Sequence, residues 1–437
     1  MSVRDRARRT LQRLVDASAT ERALISLASL AASIVVGAVI VLVAGRTTSC
    51  GEAAFVLTNP RPFGLPELFG VGFCYDPVAV FDRLFLGALG DPLDPGWDPL
   101  NGRLAATLRE TVVLVFTGLS VALAFRAGVF NIGTQGQLVV GALATAVAVL
   151  WASTVVAGVV GGLVLIPFGV LVGAVFGGLY GAIPGALKAY ADANEVVTTI
   201  MLNFIASGVA LYLVRSVFKD PESPANQTVP LPEYATFPSL LFEPQFSFSI
   251  VALLFGLLAA GAVYGLLGRT VFGYDLRAGG LQPAAAEYGG VDAKRTVVAS
   301  MTLSGALGGI GGAVYVLMIL GKFQTNVPAY GFDGITVAIL AGNNPLGVGL
   351  AAFLFGVLKS GTTVVQFDTG VPPQLIGVLR GLIILFVAMP EFFRLLGRRV
   401  LPRDRPGGET LAADGGTADP DCGTEPAEAG GERGDGP

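Results

Sequence analysis

The sequence predicts an all-α, polytopic membrane helix bundle of about ten transmembrane segments, one of them short or broken. Three observations carry this. Apolar residues fill 53% of the 437 positions and charged residues only 14%, against about 25% charged in a soluble domain. Several apolar runs reach the roughly 20 residues that a helix needs to cross a bilayer. The runs are continuous, as in LISLASLAASIVVGAVIVLVAG, and do not alternate as barrel strands do.

Taken in order, a polar lead (1–23) containing RDRARRTLQRL precedes the first run at 24–44. No small-residue cleavage site follows, so this run reads as an anchor rather than a removed signal. A Pro-rich polar segment, 45–106, separates it from a core at 107–396. The core runs are 107–125, 136–156, 158–187, 195–214, 248–268, 297–319, 332–342, 346–366 and 375–396. Segment 332–342 is too short and polar to span alone. The 158–187 run carries Gly169, Gly173, Gly177, Gly181 and Gly185. A spacing of four puts them on one helix face, where a neighbouring backbone can approach. GALGGIGG (305–312) lies inside an apolar run with no strand before it, so it too reads as helix packing rather than a dinucleotide loop.

Lys and Arg flank cytoplasmic ends. The basic lead, the 269–296 loop (Arg269, Arg277, Lys294, Arg295) and RLLGRRVLPRDR are therefore expected inside. Ten crossings place both termini in the cytoplasm of a multi-pass cell-membrane protein, with 45–106 and the Pro-rich 219–246 outside. The tail, 397–437, is basic and then acidic, with eight acids against one arginine beyond Pro406. It is expected to be disordered, as a partner-binding tail or a solvated acidic surface.

Several chemistries are excluded. There is no histidine and no Walker-type phosphate loop, so ATP, if used, is hydrolysed by another chain. No catalytic residue, cofactor, metal site or nucleic-acid partner is expected. Cys50, Cys74 and Cys422 are too scattered for a metal or redox motif. Cys50 and Cys74 both fall outside, where disulfides persist; they are read as a pair, with two free thiols as the other possibility. Cys422 is expected to be free.

FRAGVFNIGTQGQ (125–137) places Arg126, Asn131, Thr134, Gln135 and Gln137 between two apolar runs. Such a stretch survives at membrane depth only against protein or water. Asn131, Gln135 and Gln137 therefore line a translocation cavity or bond helix to helix. The same two readings apply to Asn194, Glu195, Thr198 and Asn203 in ANEVVTTIMLNFIA, and Asp333 joins them as a pathway candidate. Lys359, deep in the ninth run, is costly against lipid and is expected to snorkel or to face a partner subunit. In LRAGGLQPAAAEYGGVDAKR (276–295), Pro283 suits a first helical turn, Ala284–Glu287 favour helix, and Gly289–Gly290 stop it. The result is a short projecting helix suited to a groove on a soluble partner, or else an ordinary loop.

These three stretches, with GFDGITVAILAGNNPLG (331–347), resemble the permease subunits of ABC importers in the branched-chain amino acid, ribose and nucleoside group. The resemblance covers roughly 100–395, and NIGxxGQ and NEVxxTIMLN are similar to the nucleoside and simple-sugar branch. It implies a second permease subunit, a cytoplasmic ATPase subunit and an extracytoplasmic solute-binding protein, all around membrane lipid. It maps a coupling helix onto Pro283, Ala284, Ala285, Ala286, Glu287, Tyr288, Gly289 and Gly290. Two alternatives stay open. A branched-chain amino acid permease shares the motifs. A self-sufficient secondary transporter needs a buried coupling carboxylate, for which Glu195 and Asp333 are the candidates.

Overall fold

A computed structural model describes residues 19–58 and 70–400; the start of the basic lead, the acidic tail and Cys422 lie outside the described residues. All ten apolar runs fold as helices. Helix α1 is Ala19–Thr47. The core contains α3 (Gly102–Arg126), α4 (Thr134–Ala152), α5 (Gly158–Ala191), α6 (Glu195–Ser216) and α7 (Ile250–Arg269). It continues with α10 (Ala293–Val314), which runs into a π-helical turn at Tyr315–Leu320, then α11 (Tyr330–Leu340), α12 (Pro345–Thr369) and α13 (Pro373–Val400). Among the described residues, eight of these are long and apolar enough to cross a bilayer by themselves. The other two, α11 and the apolar stretch Pro373–Val387 of α13, are shorter. The 11 residues of α11 make about 16 Å of helix, roughly half a hydrocarbon core.

Local chemistry fixes the helix starts. Asn101 accepts from the Leu104 N–H at 2.8 Å and caps α3. Asp292 caps α10 through Arg295 N–H, and Asn344 caps α12 ahead of Pro345 in the first turn. Helix α3 is the axis of the bundle. Every residue from Thr111 to Ala124 is buried, against α4, α7, α10, α11 and α12. A helix apolar all round belongs in such a place. Helix α6 is the opposite case. Thr199, Asn203, Ala206, Ala210 and Val214 form one buried stripe at helical spacing, while Phe204, Ile205 and Tyr212 point outward.

The five glycines spaced by four on α5 pack closely on α10 and its neighbours, Gly177 and Gly181 directly against backbone. A methyl on Gly181 would lie 2.5 Å from the Met301 carbonyl oxygen, and one on Gly177 would lie 2.6 Å from Gly309 Cα. Gly173 faces Ala313, Gly185 faces Met301, and Gly169 faces Thr145 and Val149.

Segment 45–106 is more than the polar loop expected from its sequence. Strands β1 (Phe55–Thr58) and β2 (Gly70–Phe73) pair antiparallel, with Phe55 opposite Phe73. Helix α2 (Pro77–Phe85) starts on the Asp76 cap and buries Val80, Phe81 and Leu84 against Val41, Leu358 and Leu379. Nine residues are too few to span, which is why a search for spanning runs passes over them. The loop arginines also have local work. Arg83 pairs with Asp91 at 2.8 Å, and Arg103 bridges Asp91 and Asp368 at 3.1 Å each. They tie α2 to α3 and α12.

Cys50 and Cys74 form a disulfide, Cα atoms 5.7 Å apart, that closes the hairpin onto the end of α1. Mass spectrometry of the non-reduced protein is expected to find the two peptides linked. Recovery of both cysteines alkylated without reduction would refute the bond.

Candidate functional site

Two polar layers cross the core, and a short helix hangs beyond one end of it. The inner layer is built on the irregular segment 127–133. Arg126 ends α3 and donates from Nε to the Asn343 carbonyl at 2.8 Å. The chain then turns back into the bundle before α4 begins, so Thr134 Oγ1 comes 3.2 Å from Ser120 Oγ. Ser120 lies six residues, about 9 Å, inside the end of α3. This is irregular backbone with Ala127, Val129, Asn131 and Gly133 buried, while Gly128 and Phe130 are exposed.

Each polar side chain there is partnered. Asn131 Nδ2 donates to Gln137 Oε1 at 2.9 Å and to Ser304 Oγ at 2.6 Å. Gln137 Nε2 returns a bond to Asn131 Oδ1, which also accepts from Gly133 N–H. Ser304 Oγ donates to the Ser120 carbonyl, and Ser120 Oγ to the Ser304 carbonyl. Asn203 accepts from Gly136 N–H at 2.8 Å and donates to the Ile132 carbonyl at 3.0 Å. Gln135 donates to the Pro328 carbonyl and accepts from Gly331 N–H at 2.8 Å. It therefore caps the broken start of α11, where Ala329 supplies no side-chain cap. Asn131, Gln135, Gln137 and Asn203 are all buried. In this conformation they bond helix to helix, one of the two roles their sequence allowed.

Asn194, Glu195 and Thr198 lie at the start of α6 and use local partners. Asn194 Oδ1 accepts from Val196 and Val197 N–H. Thr198 Oγ1 bonds back to the Asn194 carbonyl at 3.1 Å. Glu195 pairs with Lys188 at 2.7 Å and closes the turn between α5 and α6.

The outer layer is charged. Lys359 Nζ lies 3.2 Å from Asp333 Oδ2 and 3.4 Å from Glu110 Oε2, and 3.6 Å from the centre of the Tyr330 ring. Arg109 reaches Glu110 at 3.7 Å. Tyr315, the first residue of the π turn, packs on Tyr330 with ring centres 5.4 Å apart. Lys359 thus has a third fate beyond the two its sequence suggested: it is paired within its own chain. Arg109 and Glu110 are not singled out by the sequence, although the apolar run 107–125 contains both. Two adjacent charges inside an apolar run were the available signal.

The short helix is α9 (Pro283–Tyr288), reached through an unforeseen helix, α8 (Val271–Leu281). Ala286 is the one buried residue of α9; Tyr288 is 96% exposed. Gly290 ends the unit at φ +84°, a left-handed backbone that glycine adopts without strain. At its base α8 touches the inner layer's loop. A methyl on Gly128 would lie 2.7 Å from Gly280 Cα.

A mainly apolar cavity of about 880 Å³ between α5, α7 and the π turn shares no lining residue with either layer. Among the described residues, no group of three His, Cys, Asp or Glu is placed to hold a metal.

The model of the family described as branched-chain amino acid transport system / permease component matches residues 103–388. That span contains both polar layers and α9. A nucleoside ABC transporter permease protein, NupB of Lactococcus lactis, is 34% identical over 75% of this chain and 88% of its own. The guanosine ABC transporter permease protein NupP of Bacillus subtilis is 32% identical over 69% of this chain and 86% of its own. The glucose ABC transporter permease protein TsgB13 of Haloferax volcanii is 32% identical over 78% of this chain and 88% of its own.

Proposed function

This chain belongs to the branched-chain amino acid transport system / permease component family, and from that membership we propose that it forms the translocation pathway of an ATP-driven importer for a nucleoside or simple sugar. The relatives named for nucleosides, guanosine and glucose support that substrate class over amino acids. The chain supplies the path and not the chemistry; ATP hydrolysis belongs to a cytoplasmic ATPase subunit. An extracytoplasmic binding protein delivers the solute, and a second permease subunit completes the path.

The observation that carries the mechanism is the continuity from α9 to the inner layer. A helix exposed on every residue but Ala286 has a free surface for a partner. Its connecting helix α8 abuts Gly128, which opens the loop pinned by Asn131 and Gln137. A movement of the ATPase at Pro283–Gly290 then pulls on segment 127–133. Its hydrogen bonds to Ser304, Asn203 and, through Gln135, to the start of α11 exchange for others as the path opens. Asn131, Gln135, Gln137 and Asn203 thereby line the path in the open state. Asn194, Glu195 and Thr198 hold its α6 wall, and Asp333 faces it from the outer layer.

Orientation follows from the same parts. The disulfide supports an extracytoplasmic 45–106. With an even number of crossings and basic ends, both termini lie in the cytoplasm.

The test is transport by proteoliposomes holding the permease, its ATPase and its binding protein. ATP-dependent uptake of guanosine or glucose is expected. Uptake unaffected by omitting the ATPase would favour a secondary transporter, and uptake of leucine alone would favour the amino acid reading.

A further inference from the structure

We infer that the outer layer is a solute-contact site for an uncharged polyhydroxylated ring, made by Arg109, Glu110, Asp333, Lys359 and the Tyr315–Tyr330 pair. The inference rests on the transport reading above and adds the residues and the ligand chemistry.

Depth is the first argument. Glu110 lies eight residues after the start of α3 and three residues, about 4.5 Å of helix, inside the apolar run 107–125. Charges inside such a run face a protein interior or a water-filled cavity, and they mark solute paths. Two cations and two carboxylates meet here, so the cluster is neutral as a whole. An added charged solute would upset that balance; an uncharged one would not.

Spare bonding capacity is the second argument. In the inner layer Asn131, Gln135, Gln137 and Asn203 match donors to acceptors, and among the described residues the one open atom beside them is the Asn343 side-chain oxygen. In the outer layer Glu110 Oε2 and Arg109 Nε are buried and make no hydrogen bond. Glu110 Oε2 lies 3.4 Å from Lys359 Nζ, an ion-pair contact. Buried polar groups left open are exceptions that call for a ligand, water or strain to explain them. The side chains are part-exposed, Arg109 30%, Asp333 22% and Lys359 20%.

Ligand chemistry follows from the donors and acceptors. Carboxylates accept only; guanidinium and ammonium donate only. A ring bearing neighbouring hydroxyls offers both functions at each hydroxyl and so bonds to both kinds of group. The Tyr315 and Tyr330 rings, tilted 60° to one another and buried, with Lys359 Nζ over the Tyr330 face, close one side of the cluster. The π turn presents Tyr315 at this place, and such turns concentrate at functional sites. The ribose of a nucleoside and a free sugar share this chemistry.

The experiment uses the full complex in proteoliposomes, with guanosine, 2′,3′-dideoxyguanosine, glucose and leucine as solutes. Glu110→Gln is expected to lower uptake about tenfold or more, the scale of a lost hydrogen bond to a charged group, with ATPase activity retained. The Glu110→Gln/Lys359→Gln double variant restores neutrality and is expected to stay equally impaired. A purely structural ion pair predicts rescue in the double variant, so rescue overturns the inference; so does wild-type uptake by Glu110→Gln. Should Glu110→Gln fail to assemble, Arg109→Gln leaves the Lys359–Asp333 pair intact and is expected to show the same loss. Dideoxyguanosine is expected to enter the wild type more slowly than guanosine if ribose is the ring recognised. Equal rates with no glucose uptake would overturn the polyhydroxyl assignment. Wild-type uptake of leucine alone would instead overturn the transport reading on which the inference rests.

Discussion

Gly309→Leu is expected to prevent accumulation of a folded protein, the largest stability effect at any single position described above. The reason lies in how α5 and α10 meet. A methyl group on Gly309 would fall on the Gly173 carbonyl, and one on Gly305 on the Gly177 carbonyl. One on Gly141 of α4 would lie 2.5 Å from Gly309 Cα, so Gly309 is closed in from two helices. These obstacles are backbone, which cannot rotate aside as a side chain can. Between helices in lipid the drive to associate comes from close packing and hydrogen bonds rather than from water exclusion, so a forced separation has little to offset it. Overpacking of a tight core costs about 1–3 kcal/mol, and more where backbone must part. Gly309→Ala is expected to be milder but still destabilising. The control is Gly261→Leu on α7, where nothing lies within 4 Å of the added Cβ. Size-exclusion profiles and melting in detergent read the outcome. A monodisperse Gly309→Leu protein melting with the wild type, or equal damage from Gly261→Leu, would contradict this account of the interface.

That interface was legible in the sequence because a spacing of four repeats over five glycines and needs no partner to be seen. The ten helices were legible for a similar reason: length and apolarity are local properties. What was not legible depended on meetings between distant segments. Helix α2 looked like loop because it is short, and only its contact with Val41, Leu358 and Leu379 shows that its apolar face is buried. Helix α8 contains Gly279 and Gly280, which weaken a helical reading; its cap, Thr270 Oγ1 to Gly273 N–H, and its packing on α7 hold it. A glycine-broken turn before Thr134 was readable from AGVFNIG, but the reciprocal amide bonds of Asn131 and Gln137 and their meeting with Ser304 were not. Lys359 was visible as a costly charge and Asp333 as a pathway candidate. The pairing of Lys359 with both Asp333 and Glu110 is a property of three helices meeting and of no single one.

Ala285→Trp is expected to abolish coupled uptake while leaving the permease folded. Ala285 is exposed on α9, so an indole there has room within its own chain. Ala286, the neighbouring position, is buried, and a large residue there would test folding instead. If α9 enters a groove on the ATPase subunit, its small exposed residues set how deeply it seats, and a tryptophan holds the two surfaces apart. The permease should then purify normally and lose its ATPase, or keep an ATPase that no longer responds to the binding protein. Gly290→Val should act by another route. Its φ of +84° is a conformation that a β-branched residue adopts only under strain, so the exit from α9 shifts and the helix docks at a wrong angle. Asn131→Leu gives the contrasting outcome. It removes bonds to Gln137 and Ser304 within the bundle and leaves α9 untouched, so the ATPase should stay docked while uptake falls. Normal uptake by Ala285→Trp at normal expression would dismiss α9 as the coupling element. Loss of ATPase docking in Asn131→Leu, with both α9 variants still docked and active, would mean that force enters the bundle through segment 127–133 directly and that α8 and α9 are only a connection.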